Sequence, residues 1–281
     1  AQAVVLNALT FCGQAPQTNL QAMLESPEPQ LRHAAADALR FLPSRERDNL
    51  IARALASPDA SVQVRACMAS AAAGDVDAWR SIVTRAKQLD LESAQRLPLL
   101  AALGSTAEHA LLFAALNNPE LRPQALWALG FAGTRAACET CLHEIKNGRD
   151  VTQAITALAM ITGLKPAELL RQADADDSTP DPDAIAQWWA SNRERIEPDV
   201  RYLNGEVVTL EVLRSALEHG PTRCRHIFAL ELSVRSRGAL HLQTRALCKQ
   251  QREQLARLAS LDARELHDAS KTLGVRPLAR Q

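Results

Sequence analysis

The stretch SPEPQLRHAAADALRFL, residues 26–42, decides the fold, because it returns 31 residues later as SPDASVQVRACMASAAA, residues 57–73. Each copy opens on Ser-Pro-acidic, which breaks one helix, since proline cannot donate the next backbone N–H. Each then continues as an Ala-rich amphipathic helix. In the first, Leu31, Ala34, Ala35, Ala38, Leu39 and Leu42 form an i, i+3, i+4, i+7 stripe. Asn-Pro-Glu-Leu at 118–121 repeats the turn a third time. Working outward, five such helical segments begin at Leu31, Val62, Ser93, Leu121 and Val151, spaced 31, 31, 28 and 30 residues apart. A period near thirty with helix-only content implies stacked helical hairpins, each an A helix, a tight turn and a B helix that cannot bury its apolar face alone.

The remaining elements follow from local signals. Asn19–Leu24 reads as the end of an A helix, and Glu46–Ala56 as the next one. The third unit pairs Trp79–Leu89 with Ala94–Leu103, where Pro98 must start the second helix late or kink it. The fourth pairs Ala107–Leu116 with Arg122–Leu129, closed by Gly130 or Gly133 as a left-handed cap. The fifth pairs Arg135–Lys146 with Val151–Ile161, and a shorter helix follows through Arg171. Residues 173–183 are acidic, with two prolines, and read as an exposed linker whose Asp181 and Pro182 start a helix through about Arg195. Asn204-Gly205 between Val200–Leu203 and Glu206–Val208 is a hairpin signal, and such a hairpin must lie on helices. Thr209 caps a helix through Glu218, with further helices at Thr222–Val234, Arg245–Ala259 and Asp262–Ser270. The expected fold is all-α: an α-solenoid of HEAT-like hairpins over 1–172, the linker, and a mostly helical cap over 184–281 with one short hairpin.

Composition supports this class and narrows function. Hydrophobic residues make up 47% of the 281, dominated by Ala and Leu, with only 4% aromatics. Lys plus Arg and Asp plus Glu are both 32, so no global field draws the chain to nucleic acid or a membrane surface. Residues 1–150 hold 14 basic and 15 acidic groups; 151–200 hold 4 and 9; 201–281 hold 14 and 8. The last two segments therefore carry opposite net charge, which suits mutual attraction, the favoured reading, or marks a basic surface for an acidic partner. No apolar run reaches the ~18 residues of a membrane span. The start, Ala1–Leu9, lacks the basic region of a signal peptide and an initiator Met, and reads as part of a longer protein. Six cysteines scattered along helical segments read as reduced thiols of a cytoplasmic protein.

Chemical motifs are few. Cys138-x-x-Cys141 followed by Leu142-His143 could form half a zinc site, but the chain has no second Cys-x-x-Cys, and Leu142 spoils the haem pattern. The thiols read as core-facing. The run at 174–183 lacks the Gly and twelfth-position Glu of a calcium loop. No metal, cofactor or catalytic residue is assigned. Trp188 and Trp189 with Arg193, Arg195 and Tyr202 form the densest aromatic and basic grouping. Adjacent helical residues point about 100° apart, so only one tryptophan can face the core fully; the group either wedges the C-terminal part against the last repeat, the favoured reading, or anchors a partner. Arg32, Asp37, Arg65, Arg122 and Gln153 on the B helices are candidates to line a binding face.

The Ser-Pro-Asp-x-x-Val-x-x-Arg turn with its Ala-rich helix resembles HEAT repeats of the bacterial phycobilisome-lyase type over residues 20–165. Pro180–Trp189, Arg193, Val200–Gly205, Ala229–Leu232 and Thr244–Ala246 resemble the C-terminal part of an uncharacterised proteobacterial HEAT-repeat family. Members of that family are longer at the N-terminus, and some are encoded near type VI secretion genes. The resemblance implies an accessory, adaptor or immunity role without catalytic residues. The expectation is a protein-binding scaffold, with a protein partner and neither nucleic acid nor membrane. The competing readings are a HEAT-fold enzyme such as a DNA glycosylase, which needs a basic groove, and a lyase- or maturase-like protein acting on a client.

Overall fold

A computed structural model describes residues 2–11, 19–42, 44–164, 182–240, 242, 244, 248–259, 266 and 274–279. The expected helix through Arg171, the linker up to Asp181, Arg245 and Ala246, and all but Leu266 of the expected helix Asp262–Ser270 lie outside them. Within them the chain is all-α with one two-stranded hairpin. The helices are α1 (Gln2–Phe11), α2 (Leu20–Leu24), α3 (Pro29–Ala38), α4 (Ser44–Leu55), α5 (Ala60–Ala72), α6 (Val76–Ala86) and α7 (Leu97–Leu103). They continue as α8 (Thr106–Ala115), α9 (Arg122–Ala132), α10 (Arg135–Lys146), α11 (Val151–Thr162) and α12 (Pro182–Asn192). After the strands β1 (Tyr202–Leu203) and β2 (Glu206–Val207) come α13 (Leu210–His219), α14 (Thr222–Arg235) and α15 (Cys248–Ala259).

Local signals set most of these boundaries. Asp59 accepts from the amides of Ser61 and Val62 and so starts α5. Ser105 and Glu108 form a capping box at α8. Pro98 sits in the first turn of α7, which begins late after a 3-10 turn over Leu91–Gln95. One expectation is corrected and two are made definite. Asn19 caps Ala22, so Leu20–Leu24 is the start of a short helix and not the end of a long one. The helix from Pro182 stops at Asn192 and tightens into a 3-10 turn at Arg193–Arg195. Gly130 is a buried interior residue of α9, while Gly133 is its cap, at φ 64°.

The chain forms two compact units, one of residues 1–85 with 214–277 and one of 86–213 with 278–281. In the first, α2 packs on α3, α4 packs on α5, and the B helices α3 and α5 pack on each other. In the second, α8 and α10 pack on the B helices α9 and α11, and α7, α9 and α11 pack in succession. Alanines close the B-helix contacts: Ala35, Ala36, Ala38, Ala66, Ala102, Ala128, Ala154 and Ala157 have no exposed surface. Small side chains permit close approach of helix axes, which explains why an aromatic-poor chain fills its core.

The hairpin closes the ends of the second unit's B helices. Asn204 (φ 53°) and Gly205 (φ 82°) form the tight turn, with Tyr202 opposite Val207 and Leu203 opposite Glu206. The last carbonyls of a helix have no partner within it, and the hairpin supplies donors. Tyr202 N–H bonds Gly133 O at 2.8 Å, Asn204 N–H bonds Met160 O at 2.7 Å, and Gly205 N–H bonds Ile161 O at 2.8 Å. The first unit shows a related contact, where Arg237 (φ 51°) and Gly238 (φ 76°) form a second left-handed pair. A Cβ on Gly74, just beyond α5, would lie 2.6 Å from that of Arg237.

Candidate partner-binding surfaces

The repeated turn owes its sequence to a small set of hydrogen bonds. Ser26 Oγ accepts from Glu28 N–H, Ser57 Oγ from Asp59 N–H, and Asn118 Oδ1 from Glu120 N–H, at 3.0–3.2 Å. A long side chain at the start of each B helix then donates to a carbonyl six residues back. Arg32 reaches Ser26 O (2.9 Å), Gln63 reaches Ser57 O (2.6 Å) and Arg122 reaches Leu116 O (2.8 Å).

Charged side chains also reach the neighbouring repeat. Arg32 donates to Asp59 at 2.6 Å, and Arg65 Nη1 to Asp37 at 2.5 Å. In the second unit Arg122 lies 3.9 Å from Asp150. Burial pushes the Asp59 carboxyl up, but the Arg32 and Val62 hydrogen bonds and the charges of His33 and Arg32 outweigh it, so it lies below the usual carboxylate value. Of the nominated B-helix residues, Arg32, Asp37 and Arg65 belong to the first unit, and Arg122 and Gln153 to the second. Arg32 and Arg122 are largely spent on their own turns. Arg65 and Asp37 remain 33% and 45% exposed while paired. At the Arg32–Asp59 pair, a recess of about 650 Å³ opens between the first two turns, rimmed also by Glu25, Arg53 and Ser57.

The tryptophan group lies where α12 packs on α10. Trp189 is buried and Trp188 half-buried, with ring centroids 6.5 Å apart, as the 100° offset requires. Arg193 donates to Glu139 of α10 at 2.8 Å and to Glu194 at 3.2 Å. The Glu139 hydrogen bond is the leading cause of its raised pKa. Tyr202 is buried, and its Oη accepts from Glu197 N–H at 3.3 Å. Trp188 and Arg193 thus face outward, while Trp189 and Tyr202 hold the interior.

Sequence reasoning missed Arg201. It is buried, and its guanidinium donates to Phe131 O (2.9 Å) and Ala102 O (3.0 Å), the C-terminal carbonyls of α9 and α7. Those carbonyls are the negative ends of two helix dipoles. An arginine directly before a two-residue strand carries no sequence mark of such burial. The Glu231–Arg235 pair, fully buried at 2.8 Å, was likewise missed, since Glu and Arg four apart on a helix ordinarily mark a solvated face.

Cys138 and Cys141 are buried on α10. Burial first, then the charge of Glu139, pushes the Cys138 thiol up to about 12; burial raises Cys141 as well. Both are poor nucleophiles and poor ligands in that state. His143 lies on the exposed side, with Nε2 2.8 Å from Asn147 Nδ2. Among the described residues no cluster of three or more His, Cys, Asp or Glu is arranged to hold a metal ion. Nor is any helix there long and apolar enough to cross a membrane. No family model and no curated protein matches the chain.

Proposed function

We propose that this chain is a non-catalytic protein-binding scaffold of stacked helical hairpins, and that a protein partner docks on the B-helix charge row of the first unit. The observation that supports this reading is the Asp37–Arg65 pair, half-exposed and already ordered by contact across a repeat. Binding through long side chains that are already fixed loses less rotamer entropy. Alternating charges held in place also set the register and orientation of a polar partner. The half-buried Trp188 and the exposed Arg193 of the second unit form a second contact of the anchor type. The adaptor or immunity role implied by the family resemblance belongs to the same reading.

The test exchanges the two charges. The double variant Asp37→Arg/Arg65→Asp keeps an ion pair in place but reverses its polarity. Partner recovered from the native host by affinity capture is expected to fall at least about tenfold, a loss near 1.4 kcal/mol, with thermal stability close to wild type. Undiminished recovery of the same partner by the double variant would remove the docking row. Turnover of a substrate by the purified protein, with no partner recovered, would remove the scaffold.

A further inference from the structure

The recess of about 650 Å³ between the first two Ser-Pro turns has the size of a small-molecule pocket, and its apolar lining includes Leu24, Ala54, Ala56 and Pro58. Its charged groups are Glu25, Arg32, Arg53 and Asp59, so the two signs balance. The more buried pair is satisfied within the protein. Asp59 accepts from the Ser61 and Val62 amides and from Arg32 Nε and Nη2, while Arg32 Nη1 donates to Ser26 O and Pro27 O. The other pair is looser. Arg53 Nη1 lies 3.5 Å from Glu25 Oε1, longer than a normal N–H···O hydrogen bond, and the two side chains are 57% and 63% exposed. A surface pair of this kind holds its members only weakly.

We infer that the recess binds a free α-amino acid with an apolar side chain, its carboxylate on the guanidinium of Arg53 and its ammonium on Glu25. The planar donors of an arginine match a carboxylate bidentately, and a carboxylate accepts from an ammonium. Charge balance in the recess selects the ligand class. A simple anion there meets Glu25 and Asp59, and a simple cation meets Arg32 and Arg53, so like charge disfavours both. A zwitterion satisfies both signs. Spacing then selects among zwitterions. Arg53 and Glu25 are adjacent, as are the two charges that an α-amino acid carries on one carbon. Each residue added to a peptide moves its two ends apart by up to about 3.5 Å. The ligand's side chain leaves water for Leu24, Ala54 and Pro58. This inference is independent of the docking row, since neither Asp37 nor Arg65 lines the recess.

Titration calorimetry on the full chain tests it with four compounds: L-leucine, isocaproate (which lacks the ammonium), isoamylamine (which lacks the carboxylate) and the tripeptide Leu-Gly-Gly, whose charges are separated. L-Leucine is expected to saturate the protein with a Kd at or below about 1 mM, and the other three to bind at least about tenfold more weakly. Arg53→Gln and Glu25→Gln should each weaken leucine at least about tenfold with thermal unfolding unchanged, because both side chains are largely exposed. Absence of saturable leucine binding would overturn the site. Equal affinity for any of the other three compounds would overturn it too, as would a leucine affinity that either variant leaves unchanged.

Discussion

Single residues show most clearly how the second unit holds its ends together. Arg201 serves two helix termini at once, so Arg201→Met leaves the carbonyls of Ala102 and Phe131 without these donors inside the protein. Hydrogen bonds to a charged group contribute roughly 1.5–3 kcal/mol, and a loss of at least that size is expected in equilibrium urea unfolding. Arg201→Lys should recover only part of it, because a single ammonium cannot reproduce a planar fork. Glycines give a sharper contrast. Gly148 and Gly133 share nearly the same left-handed φ, 67° and 64°. A Cβ at Gly148 meets nothing within 4 Å, whereas one at Gly133 would sit 2.3 Å from Tyr202 O. Gly148→Ala should therefore cost only the conformational penalty of about 1–2 kcal/mol. Gly133→Ala must also push the hairpin away and should cost clearly more. Equal midpoints in the two unfolding curves would show that the hairpin does not rest on Gly133.

At the scale of elements, the repeated turn joins local chemistry to contact between repeats. Asp59 caps α5 and also receives Arg32 from the preceding B helix. Asp75 and Asp90 cap neighbouring segments, and their carboxyls also lie below the usual value; for Asp75 burial pushes up but the Ser70 hydroxyl and the Ala78 and Asp77 amides together outweigh it, and for Asp90 the Ser93 hydrogen bond leads. Because these folded values lie below 3.8, the unfolded chain takes up protons first as pH falls. Their stabilisation is thus complete above the ordinary carboxylate range and disappears as pH falls through the folded values. Urea midpoints should be steady down to about pH 5 and drop by about pH 3. Asp59→Asn should be less stable than wild type at the higher pH and lose less on acidification. A parallel drop in variant and wild type would exclude Asp59 from the acid response. The sequence announced these turns through Ser-Pro-acidic and through Asn204-Gly205, since proline, glycine and short polar side chains act on their own backbone. Which carbonyls the hairpin serves was not legible, because Gly133, Met160 and Ile161 lie 40 to 70 residues from their donors and no local pattern encodes that pairing. The corrected start at Asn19 has a similar origin: a capping Asn and an interior Asn look alike until the side chain is seen to accept from Ala22 N–H.

For the whole molecule, charge balance and charge pairing point the same way on nucleic acid. The chain has 32 basic and 32 acidic side chains, and its sequence pI is about 7.2. Neutrality alone does not exclude a local basic groove of the kind a DNA glycosylase needs. Pairing is the stronger argument. Arg32, Arg65, Arg122, Arg149 and Arg193 each lie within 4 Å of a carboxylate, in positions that recur from repeat to repeat or from α10 to its neighbours. A phosphate backbone would have to displace those carboxylates before gaining anything from the arginines. Little counterion release would then accompany binding, and the steep salt dependence of a DNA-binding protein should be missing. Mobility-shift titrations with duplex DNA are expected to show no complex at about 150 mM salt, and any complex near 20 mM should vanish with a shallow slope. The variant Asp37→Asn/Asp59→Asn, which strips two arginines of their partners, should bind DNA more tightly than wild type at the lower salt. Tight wild-type binding at the higher salt, unaffected by that variant, would mean that a basic surface other than this row meets DNA, and the protein-scaffold reading would give way to a nucleic-acid one.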